Sequence, residues 1–250
     1  MWAVMPRAQV SSGFYRIQML VVLGLGVLGT ITFISLGFDS QFLSQQAASV
    51  LSGVVAFSGF LGSAFWTLER RKVGERIGFV VLALSTGLVV LTTPHSPGMP
   101  LVNGLAPLSN LSGAAVLGGT TVGMLLGHWY LTAPTMSIEP LKRINLFLGI
   151  AGVSRLAVST GTILFLWGEK LSAAKIGSEL PEFMTVPLAW LFLRWLAGVF
   201  GPLAVSLMVW RILKYRNTQA ATGVLFVGVI LAFIGDMTAA LLLQETKLPL

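Results

Sequence analysis

Three ionisable side chains stand inside long apolar runs of this 250-residue chain: Arg155, Arg194 and Asp236. A charge carried to the centre of a bilayer costs about 2.5–3.5 kcal/mol on insertion scales, so such groups turn toward one another or toward a ligand. Arg155 shares a face with Asn145, Gly149, Gly152, Ser159 and Thr162, at spacings of four, three, three, four and three, the helical period. A polar stripe of this kind lines either a helix seam or a water-accessible cavity. Arg194 and Asp236 each lie about seven or eight residues inside the same end of neighbouring runs, about 10–12 Å deep, and this matching depth predicts an Arg194–Asp236 ion pair. Arg155 stands about 6–8 Å deeper and is long enough to share the carboxylate. Two arginines against one aspartate call for an anionic or strongly accepting group: a carboxylate, a phosphate, a lipid head or a quinone oxygen.

A second set of candidates is His128 and Tyr130, at the end of the fourth run. The imidazole can relay protons near neutral pH or donate to a quinone, and Trp129 and Tyr130 suit the interfacial belt. Together His128, Tyr130, Arg155, Ser159, Arg194 and Asp236 form the candidate quinone, proton or ligand site.

Several chemistries are excluded. With no cysteine there are no disulfides, iron–sulfur clusters or thiolate nucleophiles. The two histidines, His95 in a loop and His128 at the far side, cannot clamp a b-type haem, and no metal-ligand set is present. A retinal-binding seven-helix protein needs a lysine within the last helix, which has none. There is no Gly-rich phosphate loop, no H-E-x-x-H and no G-x-S-x-G, so the chain is not expected to be catalytic by itself.

The elements that carry these residues follow from composition. Hydrophobic residues make up 55% and charged residues only 10%, against roughly 25% charged in soluble domains. The apolar residues come in runs of about 20, the length that crosses a hydrocarbon core of about 30 Å, and in lipid only helices and closed barrels satisfy every backbone group. The expected fold is therefore all-α: a polytopic membrane bundle, one domain over 1–250, with helices at 17–37, 48–68, 77–93, 109–133, 141–167, 187–210 and 217–244. The first run, with no A-x-A site after it, reads as a retained anchor.

Charge sets the expected orientation. Of 16 Lys and Arg, eleven (Arg7, Arg16, Arg70, Arg71, Lys72, Arg76, Lys142, Arg143, Arg211, Lys214, Arg216) fall on one side, and Lys170, Lys175 and Lys247 on the other. By the positive-inside rule the N-terminus is cytoplasmic and the C-terminus outside, in a bacterial-type inner membrane. The net charge of +7 then follows from topology and anionic lipid, not from nucleic acid. The outer loop 94–108, rich in Pro, Gly and Asn, is expected to be irregular, and 168–186 to hold a short amphipathic helix.

For packing, Gly119, Gly123 and Gly127 form a smooth ridge on the fourth helix, with Gly53, Gly59 and Gly62 of the second or Gly228, Ala232, Gly235 and Ala239 of the seventh as partners. Pro202 beside Gly201 should kink the sixth helix. The function expected is a haem-free membrane subunit of a respiratory or electron-transfer complex, anchoring membrane or redox partners, with quinone as the one non-covalent cofactor. A small anion or proton-coupled transporter or channel is the alternative, and a structural or assembly subunit a further one.

Overall fold

The computed structural model describes residues 4–5, 8–36, 42–94, 100–132, 136–174 and 188–246, and the regular structure among them is helical throughout. In order these are α1 (Ser12–Leu36), α2 (Gln45–Thr67), α3 (Arg71–Thr92), α4 (Pro100–Thr132), α5 (Glu139–Ala174), α6 (Leu188–Trp195), a π-helical turn (Leu196–Phe200), α7 (Gly201–Lys214) and α8 (Thr218–Thr246). Among the described residues seven helical stretches are long and apolar enough to cross a membrane, the sixth being α6, the π turn and α7 together. Large apolar side chains such as Leu25, Leu28, Ile31 and Ile34 stand exposed in mid-helix, as lipid-facing positions do.

Two compact units emerge, one of residues 1–95 and 133–143, the other of 96–132 and 144–250. In the first, α1 and α2 form a hairpin with a seam of small residues. A Cβ placed on Gly26 would lie 2.8 Å from the backbone of Ala56, and one on Gly59 2.8 Å from the backbone nitrogen of Leu23. In lipid there is little hydrophobic drive between helices, so such close approach supplies the packing energy. Ser52 Oγ donates to the Gly26 carbonyl at 3.0 Å across the same seam. At one end of the hairpin Tyr15 stacks on Trp66 at 4.4 Å between ring centroids, and the indole rests against Gly74 of α3.

Helix ends follow local chemistry. Ser44 caps α2, accepting from the Ala47 amide. The α2–α3 turn closes as a Schellman motif: Glu69 N–H donates to Trp66 O and Arg70 N–H to Phe65 O. It places Glu69 at φ 53°, a left-handed position that glycine occupies more cheaply.

Two expectations are corrected. Residues 100–107, read as irregular loop, open α4: Pro100 stands at the first helical position, where its missing N–H costs nothing, and Pro107 lies inside the helix. Residues 168–174, read as the start of a separate amphipathic helix, continue α5. The rest of that segment, with Lys175, Glu179 and Glu182, lies outside the described residues, as do Arg7, His95, Pro97, Gly98 and Lys247.

The glycine ridge of α4 packs within the second unit. Gly119 meets Phe147 and Leu148 of α5, Gly123 meets Ile144 of α5 and Leu225 of α8, and Gly127 meets Thr222 of α8. Of the proposed partners, Gly59 and Gly62 of α2 are taken up by α1, and Gly228 packs on Val205 and Thr120. The interruption expected at Pro202 takes the form of the π turn just before it, where Gly201 N–H bonds Leu196 O, one residue further back than in an α-helix.

Candidate functional site

The second unit brings α4, α5 and α8 together around one ion pair. Arg155 Nη2 and Asp236 Oδ1 are 2.6 Å apart, and Arg155 Nη1 donates to the Ser109 carbonyl of α4 at 3.1 Å. A guanidinium has five N–H donors in a rigid fork and so holds two helices at once. Room for it comes from Gly113: any Cβ there would collide with Arg155 Nη1 and stand 3.0 Å from both Arg155 Cζ and Asp236 Oδ1.

The pair is unevenly covered. The Arg155 side chain is 4% exposed and that of Asp236 32%. On α8, Asp236 lies at the border of two faces. At 100° per residue it is about 60° from exposed Phe233, while its neighbour Gly235 is buried.

Arg194, at the end of α6, is almost fully buried. Its guanidinium lies against Gly198 of the π turn, and Gly198 in turn presses on the backbone of Gly235, the residue before Asp236. Arg194 is thus delivered to the neighbourhood of Asp236, but the direct 2.6 Å contact with the carboxylate is made by Arg155. Counting depth from helix ends put Arg194 first and held Arg155 long enough to share the carboxylate; the 2.6 Å contact belongs to Arg155, and Gly113 leaves the room for it.

Ser159 stands one turn beyond Arg155 on α5, buried. Asn145, ten residues before Arg155, is also buried but serves the seam: its Nδ2 donates to Ser206 O at 3.0 Å, and Ser206 Oγ returns a bond to Asn145 O at 3.1 Å. Thr162 donates to Val158 O within its own helix.

No known protein family, curated protein or solved structure matches the chain. The reading of the site therefore rests on its own chemistry.

His128 and Tyr130 are not brought to this cluster. His128 is exposed and Tyr130 buried near the end of α4. Fifteen residues separate His128 from Gly113, about 22 Å of helix. Two residues that matter here escaped sequence reasoning, Ser109 and Gly113. Ser109 contributes only its carbonyl, which leaves no signal in a side-chain pattern. Gly113 is one small residue among Ser112, Ala114 and Ala115, and its role depends on which helix faces it.

Proposed function

We propose that this protein is a haem-free membrane subunit of an electron-transfer complex, and that the Arg155–Asp236 pair receives the head of a quinone-type molecule arriving through the bilayer. One observation carries the reading: the pair is sealed on the arginine side and open on the carboxylate side, next to an apolar flank of α8. A pair that only locks helices gains from being covered on both sides, because any exposed part of an ion in hydrocarbon is costly. A half-covered pair has the chemistry for exchange. The guanidinium offers N–H donors to a quinone oxygen, and the carboxylate accepts from a quinol hydroxyl.

In this reading the partners are lipid and other membrane or redox subunits. The membrane is a bacterial inner membrane, with the eleven-to-three charge asymmetry facing the cytoplasm, N-terminus inside. The test is binding of a short-chain benzoquinol, kept reduced under anaerobic conditions so that its hydroxyl can donate to the carboxylate, to the purified protein in nanodiscs, followed by calorimetry. Wild type is expected to bind, and Asp236→Asn to bind at least about tenfold more weakly, the loss of one charge-assisted hydrogen bond. No binding by wild type, or equal binding by the variant, overturns the reading.

A second reading, an anion or proton-coupled transporter, has its own support in the interrupted sixth span beside Arg194, since broken helices flank binding sites in transporters. Flux of anions or protons through reconstituted vesicles, abolished by Asp236→Asn, would favour it over the first.

A further inference from the structure

Ser159 Oγ is buried and has no hydrogen-bond partner. This is unusual among the helical hydroxyls of its own unit. Thr120, Thr162, Thr222 and Thr238 each return their proton to a carbonyl three or four residues back. The equivalent acceptor for Ser159 is the carbonyl of Arg155, and that bond is not made. A buried hydroxyl without a partner is destabilising, with no structural return in the ligand-free protein.

Its position gives the cost a purpose. Ser159 follows Arg155 by four residues on the same face of α5, about 6 Å further along the helix. Two polar stations result, the Arg155–Asp236 pair and the Ser159 hydroxyl, about one helical turn apart. A para-quinone carries two oxygens on opposite edges of one six-membered ring, and that ring spans a comparable distance. We infer that Ser159 is a second ligand contact, donating to the quinone oxygen remote from Arg155, so that the ligand lies alongside α5 with its two oxygens level with the two stations. The inference rests on the quinone reading of the pair and adds to it the orientation of the ligand and the residue that holds its far end.

The experiment compares wild type, Ser159→Ala, Ser159→Thr and Asp236→Asn, each as the full chain in nanodiscs. Thermal unfolding is measured without ligand, and the affinity for a short-chain para-benzoquinone by calorimetry. Ser159→Ala is expected to unfold at the same or a higher temperature than wild type when ligand-free, because an unpartnered polar group has been removed. Its quinone affinity is expected to fall about five- to tenfold, the loss of one hydrogen bond, with Ser159→Thr staying within about twofold of wild type. A hydroxyl held by an ordered water or by the helix predicts the opposite pattern: a lower unfolding temperature and unchanged affinity, which overturns the inference. Quinol binding that Asp236→Asn weakens, together with quinone binding that Ser159→Ala leaves intact, overturns the role of Ser159 alone. Absence of binding by wild type overturns both.

Discussion

Arg155 is held by two helices other than its own, through the Asp236 carboxylate and the Ser109 carbonyl. Removing one member of a buried pair strands the other, which typically costs about 3–5 kcal/mol. Because the Asp236 side chain is 32% exposed, we expect Asp236→Ala to cost less, about 2 kcal/mol. The double variant Arg155→Met/Asp236→Ala should recover most of that loss, since it leaves no orphan charge. Reversible unfolding in mixed micelles checks both. A double variant no more stable than Asp236→Ala would mean that the guanidinium is held by the rest of its surroundings and not by the carboxylate. Gly113→Ala probes the same place. Its methyl collides with Arg155 Nη1 and stands 3.0 Å from Asp236 Oδ1, so it should push the buried guanidinium out of the pair and lower stability by about 3–5 kcal/mol, as loss of a partner does.

Among the elements, the α1–α2 hairpin depends on backbone approach. Gly59→Ala would set a Cβ 2.8 Å from the Leu23 nitrogen and 3.0 Å from the Met19 carbonyl, neither of which can yield without moving α1. Overpacking of this type costs about 1–3 kcal/mol. Gly24→Ala, with nothing within 4 Å of the new methyl, should be neutral or slightly stabilising because it improves helix propensity. The pair of substitutions separates seam packing from helix propensity in one unfolding series. The α2–α3 turn offers the converse case. Glu69 occupies a left-handed conformation at φ 53°, which costs a residue with a Cβ about 1 kcal/mol, and Glu69→Gly should raise stability by a similar amount. A drop in unfolding temperature would show that the glutamate contributes more through its side chain than its backbone gives up.

At the scale of the whole molecule, the absence of cysteine makes topology directly measurable. Single cysteines can be introduced without background and labelled from one side of sealed vesicles with an impermeant maleimide. Positive-inside sorting predicts that Lys72→Cys is reached only from the cytoplasmic side and Phe42→Cys only from the outside. Labelling of both from one face would remove the assigned orientation while leaving the seven helices intact.

Apolar run length made all seven membrane-length helices legible, because crossing hydrocarbon demands about 20 consecutive apolar residues whatever the neighbours do. The runs shortened the ends, and α4 and α5 extend furthest past them. There, polar and proline-bearing residues such as Asn103, Pro107 and Glu169 remain helical although they do not look apolar. Of the site, the burial of Arg155, Ser159 and Arg194 was readable from the cost of polar groups in lipid. Pairing was not. Depth along a helix can be counted from residue numbers, but the direction in which a long side chain turns is set by the space its neighbours leave. Here Gly113 admits Arg155 to Asp236, and the close Gly198–Gly235 approach brings the sixth span against α8 beside Arg194. Sequence alone determined which residues must be buried, through transfer energies that belong to each side chain. Tertiary structure decided which of them meet, through contacts between helices distant in the chain.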